Sequence, residues 1–180
     1  ATGELWHYLG REGIPIAYSW PAGGGGLLRG YTYDRESGEF TVYHLKVFLK
    51  VLTSIPELEG IHLITHSRGT DVVINALREL VLEAYARGED PHTRYRIRNL
   101  VLAAPDLDLD VMLQRTFSER LSAAVGRLTI YASPRDKALG LTEFLFGGFR
   151  RLGQATFSTL PEHVKAQIRP RENVALIAYT

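Results

Sequence analysis

Ile61 to Val73 read IHLITHSRGTDVV, and this stretch decides the fold. The apolar run Ile61, Leu63, Ile64 ends at Thr65. Ser67 follows between His66 and Arg68, Gly69 comes next, and an apolar pattern with helical spacing begins at Val72. The spacing predicts a strand, a tight turn carrying a serine, and a helix. A turn this sharp lifts the serine hydroxyl clear of the backbone above the sheet. Small residues are expected beside it, where strand and helix come close.

Two readings of Ser67 stay open at this level. Such a turn is how a GxSxG elbow presents a nucleophile, here with Thr65 in place of the first glycine. Serine is equally at home as an N-cap, its oxygen accepting the N–H of Gly69 or Thr70.

Working outward, the same alternation recurs. Ile14–Trp20 (IPIAYSW) reads as a buried strand, with Pro15 near its start. A glycine run, Gly23 to Gly26, follows as a loop; no GKS or GKT comes after it, so a phosphate cradle is not expected. A helix is predicted from about Asp34 or Ser37 to Ser54, with Val42, Leu45, Phe48, Leu49 and Leu52 on one side, ended by Pro56 and Gly60. After the strand Ile61–Thr65, a helix carries Val72, Val73, Ala76, Leu77, Leu80, Val81 and Ala84 and stops at Gly88 before Pro91. Ile97–Ala104 is a third strand, Leu107 to about Val125 a helix of mixed quality, and Arg127–Ala132 a fourth strand. Residues 134 to 152 hold a helical start interrupted at Gly147 and Gly148, and Val174–Tyr179 is a fifth strand. Strands apolar on both faces that alternate with helices predict a mainly parallel sheet in a three-layer α/β/α arrangement, with right-handed crossovers.

A length of 180 residues suits one domain. With 21 Lys and Arg against 20 Asp and Glu the net charge is +1, so no global field draws nucleic acid or an anionic membrane. Arg94, Arg96 and Arg98, and Arg150 with Arg151, read as solvated loop and strand-start positions. Absent cysteine excludes thiol catalysis and disulfides. No run approaches the roughly 20 apolar residues of a membrane span, and the first residues lack a leader pattern, so a soluble protein of undetermined compartment is expected. The chain begins at Ala1 and stops at Thr180 in a strand-like run. It is therefore expected to be a piece of a longer protein, truncated at both ends.

Chemistry in such sheets collects at the carboxyl ends of the strands. There the sequence places His66 and Ser67, then Asp106, Asp108 and Asp110, then Ser133 and Asp136. A serine hydroxyl needs a neutral imidazole to take its proton, and a carboxylate to hold that imidazole in the right tautomer. Asp136, after the second strand beyond the serine, is the favoured acid, with Asp106 the alternative. Each has a structural competitor: Ser133, Pro134 and Asp136 spell a capping box, and Asp106 and Asp108 suit a helix first turn. No histidine is well placed. His163 precedes the last strand, His66 adjoins Ser67, and His7, His44, His62 and His92 are placed worse, so the base is expected beyond Thr180. The Arg68 N–H is the expected oxyanion donor; no earlier strand and loop precede Ile14 to supply a second. Trp6, Trp20, Tyr31 and Tyr33 read as packing residues.

The succession YSWP with its glycine loop and Tyr33-Asp34, ITHSRGT, LVLAAPDLDLDVM, LTIYASPRDKAL and the segment around RLGQA resembles the bacterial α/β-hydrolases of the domain-of-unknown-function 900 group. The resemblance spans nearly all of the chain from Ile14 onward. It implies an α/β-hydrolase fold with Ser67 as nucleophile, Asp136 as acid and the Arg68 amide as oxyanion donor. Group members carry an upstream HGYN-like loop and a downstream histidine, both lacking here. The function expected is a serine hydrolase acting on a small ester, thioester or amide through an acyl-enzyme, with no metal or organic cofactor. The alternative is a non-catalytic hydrolase-like module that binds a partner. Self-association is expected if a sheet edge stays unpaired.

Overall fold

The computed structural model describes residues 2–21, 27–133, 135, 152–169 and 171–179. Its contacts divide the chain into a unit of residues 1–38 and a unit of residues 39–180.

In the first unit, helix α1 (Thr2–Tyr8) is closed by the Trp6 indole, which donates to the carbonyls of Glu12 and Gly13 at 3.1 and 3.2 Å. The strand expected at Ile14–Trp20 does not form. Residues 14–21 carry no regular structure, and Ile14, Ile16 and Tyr18 are exposed. An apolar run becomes a strand only when a neighbour completes its ladder, and Pro15 withholds one donor. The glycine run lies outside the described residues.

Helix α2 (Leu27–Thr53) starts earlier than the expected caps, Asp34 and Ser37. Gly30 and Gly38 weaken a helix by about 1 kcal/mol each without breaking it. Its second half buries Val42, Leu45 and Leu49.

Four strands, β1 (Ile61–His66), β2 (Ile97–Ala103), β3 (Arg127–Ala132) and β4 (Val174–Ala178), form one parallel sheet in the order β1-β2-β3-β4. The spatial order follows the chain, so each crossover steps the same way across the sheet. Leu100, Leu102 and Leu128, which share one face of the sheet, are fully buried, as are Ile74, Leu77 and Leu80 of α3 (Gly69–Ala86). Among the described residues the opposite face leaves Ile64, Tyr131 and Ile177 exposed.

Two segments depart from their expected form. The helix foreseen over 107–125 breaks into α5 (Leu109–Leu113), one π-helical turn (Gln114–Ser118) and a 3-10 turn (Leu121–Ala123). Arg120 between them stands at φ 59°, which no continuous helix tolerates. Conversely Pro91, expected only to follow a helix end, opens α4 (Pro91–Tyr95). The Asp90 carboxylate caps it by accepting from the Thr93 amide at 2.8 Å and hydroxyl at 2.7 Å.

The arginine cluster has a structural task. Arg96 donates to the carbonyls of Thr53, Ile55 and Leu58, where α2 ends, and Arg98 donates to Glu59. The last residues of α2 are thereby tied to the start of β2. Gly126 crosses under the same strand so closely that a Cβ there would lie 2.6 Å from the Arg98 carbonyl oxygen. Gly126→Ala is expected to cost about 1–3 kcal/mol, read as a lowered urea midpoint.

Lys46 lies against Glu79 (2.7 Å) and Glu83 (3.1 Å), and Lys50 also pairs with Glu83, joining α2 to α3. The hydrogen bond from Lys50, then that from Lys46, holds the Glu83 carboxyl below its ordinary range against the opposing effect of burial. A carboxyl lowered in the folded state binds fewer protons than in the unfolded chain. Its stabilisation is present above the unfolded pKa and is lost as pH falls through the lowered folded one. Glu83→Gln should therefore destabilise by roughly 1 kcal/mol at pH 7 and by much less at pH 3. Urea titrations at both pH values check this.

Candidate functional site

Ser67 is the first residue after β1 and stands at φ 51°, in the left-handed region. A side chain there costs roughly 1–2 kcal/mol, so the surroundings must impose the conformation. They do so through both backbone polar groups. The Ser67 N–H donates to the Ala103 carbonyl at the end of β2 (3.0 Å). Its carbonyl accepts from the Thr70 amide (3.1 Å), the Thr70 hydroxyl (2.6 Å) and the Asp106 amide (3.4 Å). Thr70 is fully buried. The sequence marks Thr70 only as an amide donor, yet a threonine three residues past the serine is also spaced to return its hydroxyl to that carbonyl.

The capping reading of Ser67 does not hold. Helix α3 begins at Gly69 with Arg68 in the N-cap position, and no side chain caps it. The Ser67 side chain is half-buried, and its hydroxyl makes no hydrogen bond with the described residues. Arg68 and Gly69 occupy the head of the helix, where the leading amides lack intrahelical acceptors and favour negative charge.

Crowding is not what places small residues here. A Cβ on Gly69 would meet nothing within 4 Å among the described residues, and its φ is not positive. Thr65, in the place of the first glycine of GxSxG, is buried, and its hydroxyl donates to the Val101 carbonyl at 3.2 Å.

Asp106 is brought to the same turn. Its carboxylate is 6 % exposed and lies 3.8 Å from the Arg68 guanidinium. It stands ahead of α5, whose N-cap is Asp108, accepting from the Val111 amide at 2.9 Å. Neither Asp106 nor Asp108 lies in the first turn expected of it, where the acid is Asp110; Asp108 is instead the N-cap. Asp136 and Pro134 lie outside the described residues, as do Gly147, Gly148, Arg150 and Arg151.

No histidine hydrogen-bonds to Ser67 among the described residues. His66 is exposed beside it, and His163 is exposed on α6 (Glu162–Ile168). His62 pairs with Asn99 at 2.7 Å, and the His44 ring packs at a tilt against Phe40.

Residues 152–154, from the RLGQA segment, close the strand ends. The Leu152 amide donates to Leu107, the Gly153 amide to Pro105, and the Gly153 carbonyl accepts from the Ser133 amide at 2.7 Å. One short 3-10 turn thus spans the carboxyl ends of β2 and β3.

A parallel sheet with crossover helices, and a serine at a strained strand-to-helix turn, define an α/β-hydrolase-type domain. The model of the family described as alpha/beta hydrolase of unknown function (DUF900) matches residues 1–178, and the chain belongs to that family. No curated protein and no solved structure matches the chain. No helix among the described residues is long and apolar enough to cross a membrane.

The strain at Ser67 is measurable. Ser67→Gly is expected to be more stable than Ser67→Ala by about 1 kcal/mol, because glycine alone adopts a positive φ without penalty. Equal denaturation midpoints for the two variants would contradict the left-handed conformation.

Proposed function

We propose that the protein is a serine hydrolase acting on a small ester, thioester or amide through an acyl-enzyme. The observation that carries this is the turn at Ser67. A non-glycine residue is held in a strained conformation by four backbone contacts, while its hydroxyl is engaged by none of the described residues. Structure maintained at such expense around an unengaged hydroxyl fits a nucleophile better than a packing residue.

In this reading the Ser67 oxygen attacks the acyl carbon as its proton passes to a histidine base not identified among the described residues. The carbonyl oxygen gains charge at the head of α3, where the Arg68 N–H stabilises it. The leaving alcohol, thiol or amine takes the proton from the imidazolium. Water then repeats the sequence to release the acid and restore the serine. Asp136 would hold the histidine in the productive tautomer.

The rival reading, a hydrolase-like module that binds without catalysis, draws on the lack of a described histidine at Ser67. A fluorophosphonate probe on the full-length protein separates the two. Labelling that disappears in Ser67→Ala and slows by roughly 10²- to 10⁴-fold in Asp136→Asn is the expected result. A folded full-length sample that takes up no label would overturn the enzyme reading and favour the module.

A further inference from the structure

The Ser67 carbonyl and the Arg68 N–H belong to one peptide unit. That unit is planar and trans, so the two bonds point in opposite directions and neither turns without the other. Whatever holds the carbonyl therefore aims the amide at the head of α3.

Three donors meet that carbonyl. The Asp106 amide lies at 3.4 Å and the Thr70 amide at 3.1 Å, while the Thr70 hydroxyl comes to 2.6 Å. A carbonyl oxygen has two lone pairs, so the donors share it unequally, and the hydroxyl makes the shortest bond. Water cannot take over this bond. Thr70 is 0 % exposed, and among the described residues the Ser67 carbonyl is the acceptor that its hydroxyl finds. A buried hydroxyl deprived of its acceptor loses more than the bond is worth, because contact with water does not replace it. Turning the peptide away from Thr70 incurs that loss, so the hydroxyl resists rotation of the whole unit.

The need for such a hold comes from Ser67. Its φ of 51° is a conformation that a serine leaves readily when nothing opposes it. Ala103 fixes the Ser67 N–H on one side, and Thr70 fixes the carbonyl on the other. Both backbone angles of residue 67 are set between these two holds. Thr70 reaches the carbonyl from the second residue of α3, so the helix headed by the Arg68 amide also sets that amide's direction.

We propose that Thr70 is a positioning residue whose hydroxyl, by holding the Ser67 carbonyl, aims the Arg68 N–H at the charge that forms on the substrate's carbonyl oxygen. The role rests on the reading of Ser67 as the nucleophile. Thr70 touches no reacting atom; it acts through the peptide between residues 67 and 68.

The test compares Thr70→Ala, which removes the donor without setting a methyl group against the carbonyl, with Thr70→Ser, which keeps the donor. The residual dipolar coupling of the Arg68 N–H, measured on the full-length protein, reads the direction of that bond. It is expected to depart from the wild-type value in Thr70→Ala, with the later amides of α3 unmoved, and to return in Thr70→Ser. An unchanged coupling in Thr70→Ala overturns the proposal. Labelling by a fluorophosphonate reads the consequence. The maximal labelling rate of Thr70→Ala should fall about tenfold at an unchanged half-saturating probe concentration, less than the loss of an oxyanion donor outright, with Thr70→Ser near wild type. A wild-type rate in Thr70→Ala overturns the catalytic effect, and a Thr70→Ser as slow as Thr70→Ala assigns that effect to the methyl group and overturns the role of the hydroxyl. If Thr70→Ala does not fold, the wild-type protein decides: the Thr70 hydroxyl proton should exchange slowly enough to give its own resonance, and rapid exchange overturns the hold. If the wild-type protein takes no label, the hydrolase reading fails, and the dipolar coupling alone upholds or overturns the aiming of the Arg68 N–H by Thr70.

Discussion

The left-handed backbone at Ser67 is the constraint on which the carboxyl end of the sheet is organised. It exists because the Ser67 N–H reaches Ala103 and its carbonyl gathers Thr70 and Asp106. The pattern then repeats across the sheet. Ala104 is itself at φ 43°, and its N–H donates to Tyr131, while the Tyr179 N–H donates to Ala132. Strands β1, β2 and β4 thus hand their first post-strand amide to the end of a neighbouring strand, whereas that of β3, Ser133, goes to Gly153. Two consecutive strands, β1 and β2, therefore each leave the sheet through a residue of positive φ, Ser67 and Ala104. Buried backbone groups must be paired, and here the pairing fixes the turn as well as satisfying it.

Rigidity at this edge comes from short-range devices. The 3-10 turn at Leu152–Gln154 bonds to Pro105, Leu107 and Ser133, so the segment returning toward β4 holds the ends of β2 and β3 in register. Arg115 and Glu119, on the π-helical turn and just after it, answer Asp71 and Arg78 on α3. The π-helical turn is therefore braced from the helix that starts at the serine. A straight α-helix through these residues would rotate the later side chains away from those partners. That is a physical account of why the segment after Leu113 is not regular.

The parts of the fold legible from sequence were those whose signal is burial itself. Strands β1 to β4 and helix α3 announce themselves through continuous apolar runs and a four-residue stripe, because a parallel sheet must be dry. Ile14–Trp20 has the same composition but no described ladder partner, and composition does not carry a partner. The break after Leu113 depended on Arg120 adopting a positive φ, which its identity does not announce. Helix α4 was legible in principle: Asp90, Pro91 and Thr93 are a cap, an N1 proline and the cap's donor. At the site, the strand-turn-helix around Ser67 was readable. The grip of Thr70 on its carbonyl and the approach of Asp106 were not, since both depend on which atoms the turn aims inward. Thr65 looked like a defect in GxSxG and is accommodated because Val101 offers its hydroxyl an acceptor.

The environment of Asp106 bears on how tasks divide around the serine. A buried carboxylate is costly unless compensated, and the Arg68 guanidinium at 3.8 Å provides the opposite charge. Asp106 thus meets Arg68 through its side chain while its own amide donates to the Ser67 carbonyl. Arg68 is then divided along its length. The guanidinium neutralises a buried charge, and the main-chain amide stands at the head of α3, where an oxyanion would form in the proposed reaction. On that division, replacing the Arg68 side chain perturbs the turn through Asp106, whereas only a change in the backbone conformation at residues 67 and 68 alters the oxyanion donor itself.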